Sequence, residues 1–178
     1  MKHVALMALM LGLGFASVHA EDRTVRMKFS GSMVPTSIVQ QPNTITDEEL
    51  LAGDGALGSF TFRKLRTDAL APQPSSACPG LNIPVLAAGG VLRFQDGSLL
   101  TVGLKETGAL CIVPPAAHLT ETYRITGGTR RFRGATGTLT LNATLSVVFF
   151  SASGQPLLLT STGTLDGTID AAGIRDEQ

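Results

Sequence analysis

The sequence predicts an all-β domain of eight antiparallel strands closed into a barrel. Three observations carry that expectation. Over 138–149 the chain alternates, with Leu139, Leu141, Ala143, Leu145 and Val147 on one parity and Thr138, Thr140, Asn142, Thr144 and Ser146 on the other. A period of two over this length is a half-buried strand. Glycine also ends two short loops, Ala152-Ser153-Gly154 and Gln95-Asp96-Gly97, where a three-residue hairpin connection needs a left-handed residue. Finally, the chain has 20 Gly and only 16% charged residues, as suits an all-β domain. With no central helix and no repeats, closure is the arrangement that removes the sheet edges.

Residues 1–20 read as a secretory signal peptide. Lys2 supplies the positive start, 4–15 the apolar run and Val18-His19-Ala20 the small-residue cleavage site. The apolar run is short for a membrane span, so no integral span is expected after cleavage. Cleavage leaves one barrel domain over 21–170 and a polar tail over 171–178, exported to the periplasm or beyond. Of the 14 basic and 14 acidic residues, cleavage removes Lys2 alone, for a formal net charge of −1. A near-neutral chain without a basic block argues against nucleic acid or an anionic membrane as the main partner.

The strands follow in order. Residues 23–32 form the first, with Val25, Met27 and Phe29 alternating against Arg26, Lys28 and Ser30. A connection over 33–54 contains Thr46-Asp47-Glu48-Glu49, which matches a capping box. It predicts one helical turn stopping at Gly53, its acids solvated at a helix start rather than holding metal. The second strand spans 55–67, with Phe60 and Phe62 on one side and Arg63 on the other. A long loop over 68–88 holds Pro72, Pro74, Pro79 and Pro84, and a loop of that length is functional or tied down. Residues 89–95 and 98–104 form a hairpin that sets Leu92 opposite Leu100. Further strands cover 107–113 and 118–126, and the last two make the long hairpin.

In that hairpin, the loop ending at Gly154 sets Val147 opposite Leu159, Leu141 opposite Leu165, Ala143 opposite Gly163 and Thr144 opposite Thr162. A loop one residue shorter would mix the faces. The apolar face points inward, and it is thinly filled at Ala143, Leu145, Ser161 and Gly163. Cys78 and Cys111 are the only cysteines. In an exported chain they are expected to form a disulfide that pins the Pro-rich loop to the strand over 107–113.

The run Ile125-Thr126-Gly127-Gly128-Thr129, continuing through Arg131-Phe132 to Gly134-Ala135-Thr136-Gly137, resembles the turn of the allene oxide cyclase and dirigent barrel superfamily. Small secreted bacterial members look especially similar. The family pattern has Gly-Thr-Gly-Arg-Phe, and Arg130 stands where its last glycine would be. The resemblance implies a calycin-like eight-stranded barrel, here with the long Pro-rich loop and one short helical turn. Related barrels include trimers, which leaves a homo-oligomer as an option. No motif here aligns with the polar groups lining allene oxide cyclases, so the resemblance transfers no catalytic residue.

The chemistry-bearing residues are few. His3 and His19 leave with the signal peptide, so His118 is the one mature histidine. A multi-histidine metal site is thereby excluded, and no cofactor motif is present. No Gly-x-Ser-x-Gly elbow occurs, and His118 is expected on the surface. Glu106, Glu121 and Tyr123 lie on or beside strands, where a desolvated Glu could exchange protons. Arg124, Arg130, Arg131 and Arg133 form a basic cluster that would suit a solvated turn or an anionic ligand head. Asn142-Ala143-Thr144 is a glycosylation sequon in a strand interior.

Three functions fit. The favoured one is a binding module whose interior holds a small hydrophobic ligand against Ala143, Leu145, Ser161 and Gly163. The second is an isomerase of the allene oxide cyclase type or a dirigent-type protein. The third is a packed barrel used for structure or protein contacts. A buried carboxylate inside would favour the second, and a filled interior with an exposed apolar patch the third.

Overall fold

The structure is a computed structural model, and it describes residues 23–174. The signal peptide expected over 1–20 and the end of the tail, 175–178, lie outside the described residues. Nine strands follow one another: β1 (Arg23–Pro35), β2 (Thr44–Gly55), β3 (Phe60–Ala69), β4 (Leu81–Phe94), β5 (Leu99–Leu104), β6 (Gly108–Val113), β7 (Ala116–Gly128), β8 (Thr136–Phe150) and β9 (Pro156–Asp170). The helical segment among them is a 3-10 turn at Arg130–Phe132.

All pairings are antiparallel, and β1 lies between β2 and β9. From β1 the sheet runs through β2, β3 and β4 on one side and through β9, β8 and β7 on the other. The gap between β4 and β7 is filled twice. β5 pairs with the later half of each, and β6 with the earlier half. The two short strands thus share one position, and nine strands make an eight-position closed barrel.

The long hairpin has the register that its alternation requires. Val147 pairs with Leu159, Leu141 with Leu165, Ala143 with Gly163 and Thr144 with Thr162. Gly154 sits at φ 79°. The β4–β5 hairpin pairs Leu92 with Leu100 and Gly90 with Val102, and Gly97 sits at φ 77°. Cys78 and Cys111 are bonded, with Cα atoms 5.6 Å apart, tying the loop before β4 to β6.

The expected helical turn at 46–49 is not formed. Those residues lie in β2, which pairs with β1 and β3 on its two sides. Two ladders satisfy more backbone groups than one capped turn. The next strand starts later than expected for the same reason: β2 continues to Gly55, 56–59 form the β2–β3 turn, and β3 runs from Phe60 to Ala69. The Pro-rich loop is also shorter than expected, because β4 begins at Leu81. Pro84 is accommodated in β4 just beyond Val85, where the β3 ladder has ended.

Inward-facing residues form one core, including Val25, Met27, Phe29, Leu51, Phe62, Leu92, Leu100, Leu139, Leu141 and Leu165. The two ends differ. One end carries the β2–β3 and β4–β5 turns and the Arg130–Phe132 turn. It is closed by Phe60, Phe94 and Phe132, whose rings stack at 6.0 and 4.7 Å. The Arg131 guanidinium lies 4.9 Å from the Phe94 ring and 4.8 Å from Phe132. The other end carries the β1–β2, β3–β4, β6–β7 and β8–β9 connections. There Ile38, Val39, Leu70, Leu81, Phe149, Phe150 and Leu157 are exposed. Beyond β9, Ala171 and Ile174 pack back against the core.

Candidate binding site inside the barrel

Alternation along β2, β3 and β7 turns seven polar side chains into the barrel. Asp47 and Glu49 come from β2, Lys64, Arg66 and Asp68 from β3, and Glu121 and Tyr123 from β7; all are buried. Phe60 and Phe62 set the inward parity of β3, and Lys64, Arg66 and Asp68 continue it. The register places Asp47 beside Arg66 and Glu49 beside Lys64. Asp47 also pairs with Pro35, the last residue of β1, so the cluster runs from mid-barrel toward the apolar end.

Arg66 is its hub. Nε donates to Asp68 Oδ2 at 3.0 Å, Nη1 to Glu49 Oε1 at 2.9 Å and Nη2 to Asp47 Oδ2 at 2.9 Å. The Met33 sulfur lies 3.2 Å from Nη2. Lys64 Nζ pairs with Glu121 Oε2 and lies 3.2 Å from Glu49 Oε1. The Tyr123 hydroxyl donates to Glu121 Oε2 at 2.6 Å.

Two cations face four carboxylates, so the cluster holds more acceptors than donors. Glu49 Oε2, Asp68 Oδ1, Glu121 Oε1 and Ser161 Oγ are buried without a hydrogen-bond partner. Such atoms cost about 1–3 kcal/mol each when left unmade. Burial pushes Asp68 up to about 6, more than the Arg66 charge lowers it. Asp47 is raised for the same reason. Glu121 is lowered, because the Lys64 and Arg66 charges outweigh its own burial. Burial would lower Arg66, but Asp68, Glu49, Glu121 and Asp47 together raise it. Burial, then Glu121, raises Tyr123 well above its ordinary value, so the phenol stays neutral.

The four residues expected to line a site are inside. Ala143, Leu145 and Ser161 are buried, and Gly163 is half-buried. Leu145 pairs with Ser161, one step inward from the Val147–Leu159 pair at the apolar end. Gly163 has a structural reason: a Cβ there would overlap the Asn142 carbonyl oxygen, so its missing side chain allows β8 and β9 to approach closely. Of the chemistry candidates, Glu121 and Tyr123 are brought into the cluster, whereas Glu106 and His118 are exposed on the outside. Asp47 and Glu49, expected to be solvated, are buried instead, because β2 is a strand and its parity turns them inward.

The arginine cluster lies at the opposite end. Arg124, Arg130 and Arg133 are exposed. Arg131 is held by Asp96 at 3.2 Å and donates to the Leu57 carbonyl at 2.7 Å. Backbone and side-chain donors of Ser98 lower Asp96. Arg131 and Asp96 line an open cleft of about 340 Å³ with Leu57, Gly58, Ser59 and Gln95. The Arg131 charge is already paired there.

Asp47, Glu49, Lys64, Arg66 and Asp68 were missed as a site in the sequence. Their signal was the parity of Phe60 and Phe62 carried forward, once β2 is read as a strand.

No protein-family model matches the chain, and no curated protein matches it. Among solved structures, the chain is similar to a pterocarpan synthase dirigent protein at 14% identity, with 93% of this chain and 98% of that one covered and a TM-score of 0.37. At that level of likeness, the functional reading rests on the residues inside this barrel.

Proposed function

We propose that this barrel binds a small, largely apolar molecule whose polar head carries hydrogen-bond donors. One observation carries the reading: the acceptor-rich cluster and the exposed apolar residues occupy the same end, while aromatic rings close the other. Leu145, Ala143 and Leu159 supply an apolar wall. Asp47 and Asp68 keep the cluster's residual exposure, with side chains 6% and 4% accessible, so a head arriving from that end meets them first. Met33 lies over Arg66, and its unbranched side chain can swing aside at little cost. Burial of the apolar body supplies affinity, and the head supplies orientation. The disulfide supports an oxidising, exported setting.

The test uses the mature protein and native mass spectrometry. A panel of apolar molecules bearing amine, hydroxyl or carboxylate heads is offered. Amine and hydroxyl heads should be retained and carboxylates rejected, because the unpaired cluster atoms of Glu49, Asp68 and Glu121 are carboxylate oxygens. Asp68→Asn should weaken amine retention by about tenfold, the scale of one charge-assisted hydrogen bond. Retention of no member by the wild-type protein would remove this reading in favour of a structural barrel.

A second reading, proton transfer on the bound molecule as in a cyclase-type isomerase, is favoured by the buried carboxylates, above all Asp68. An acid raised to about 6 can exchange a proton near neutral pH. It predicts that Asp68→Asn retains binding of a hydroxyl-headed molecule yet abolishes its isomerisation.

A further inference from the structure

The apolar end has a second property: it is uncharged. No Asp, Glu, Lys or Arg occurs in 29–46, 69–92, 107–120 or 134–165. Those stretches contain every connection at that end, namely β1–β2, β3–β4, β6–β7 and β8–β9. The opposite end carries Asp54 near the end of β2 and Asp96, Arg130, Arg131 and Arg133 in its turns. Two loops and one hairpin end present large apolar side chains at the uncharged end: Ile38 and Val39 after β1, Leu70 after β3, then Phe149, Phe150 and Leu157 where β8 and β9 meet their turn. Val39 is 75% exposed and Phe149 59%.

A surface that meets only water has no reason to exclude charge, since surface charge aids solubility. A protein interface depletes charge at its centre but keeps a polar rim and favours arginine. Here the rim is uncharged as well, and its polar residues are amides and hydroxyls such as Gln40, Gln73, Ser151 and Gln155. That composition suits side chains that pass the headgroups toward the lipid chains, where charge becomes expensive, and a rim of neutral polar groups that find partners at the headgroup level. The β8–β9 tip also pairs part of its own backbone. Ser151 N–H donates to Gln155 O at 2.8 Å and Gly154 N–H to Ser151 O at 3.0 Å, while Gln155 N–H donates to Ser151 Oγ at 3.0 Å. Polar backbone that is already paired enters an apolar layer at reduced cost.

We propose that this end of the barrel docks on a neutral lipid surface, with the tips carrying Ile38–Val39, Leu70 and Phe149–Phe150 entering the headgroup–chain boundary. No strand crosses the layer; the barrel stands on it. The proposal is independent of any ligand inside.

Flotation of the mature protein with pure phosphatidylcholine vesicles tests it. The wild-type protein should float, and added salt should not release it, because no charge takes part. The double substitution Phe149→Ser and Phe150→Ser should lower the partition coefficient by about tenfold or more, from the apolar area lost. Both residues are exposed, so the fold should be kept, as circular dichroism would verify. The chain has no Trp, so Phe150→Trp adds a single reporter whose emission should shift to the blue on adding vesicles. Three results would overturn the proposal: no flotation with an unshifted Trp, flotation that needs anionic lipid and fails in salt, or a wild-type dimer that the double variant turns into a monomer. The last would show that a second copy covers this end.

Discussion

Asp68 concentrates the tension between fold and site. Its carboxylate is buried beside Arg66, yet one oxygen is unpartnered. Burial raises it to about 6, so the folded state holds its proton where the unfolded chain has released it. The ordinary aspartate value is 3.8. Between that value and 6 the native state binds more protons, and stability falls as pH rises. The loss reaches about 3 kcal/mol by neutral pH. Glu121 acts in the opposite sense: lowered when folded, it adds stability above its ordinary 4.5 that is lost on acidification. Thermal melting should therefore peak between pH 3.8 and 4.5, where the Glu121 gain is nearly complete and the Asp68 loss is beginning, and decline toward neutral pH. Asp68→Asn should flatten the decline, giving a higher melting temperature than wild type at pH 8. Arg130 is the other residue under tension. It is a non-glycine residue held at φ 54°, and its Nη1 donates to the Asp96 carbonyl at 2.9 Å, which offsets part of the backbone strain.

The β8–β9 hairpin was legible because its cause is local. Alternation fixes the faces, the three-residue loop fixes the offset, and Gly154 supplies the left-handed residue. No atom lies within 4 Å of a Cβ at Gly154, so substitution there tests backbone strain alone. Gly154→Val should cost about 1–2 kcal/mol in urea denaturation. The disulfide acts on the least regular connection. It closes a loop of 33 residue steps, and the chain-entropy relation gives roughly 3–4 kcal/mol of stabilisation. Reducing it should lower the urea midpoint by the corresponding amount. β2 was not legible. A capping box is a local signal, and its donors were claimed by two neighbouring ladders, one of them to a strand ending at Pro35. When β2 was missed, the inward parity of Asp47 and Glu49 was lost with it.

The whole molecule is polarised along the barrel. One end is an aromatic plug over which Arg131 lies, and the other is an uncharged apolar collar over a buried charged cluster. The division separates stability from contact. Phe132 is fully buried against Phe94, and Phe132→Ala should cost about 3–5 kcal/mol. Phe150→Ala, at the exposed end, should change stability by less than about 0.5 kcal/mol. Parallel denaturation of the two variants checks this contrast. A smaller loss at Phe132 than at Phe150 would reverse the assignment of plug and collar.

The sequence by itself determined the strand class, the faces and register of both hairpins and the cysteine pair. Each follows from residues close in the chain or, for the cysteines, from there being only two. Ala143, Leu145 and Ser161 were readable as inward because parity alone decides it. Only the tertiary structure decided that β5 and β6 share one position, since the choice rests on how β4 and β7 divide their edges. It also decided the cluster. Lys64, Arg66 and Asp68 share the parity of Phe60 and Phe62, but charges on that parity read as a conflict until partners are known. The partners come from β2 and β7, and Glu121 lies 57 residues from Lys64. Burial of charge becomes tolerable when opposite charges meet at hydrogen-bond distance. That condition is set by closure of the barrel and has no local sign in the chain.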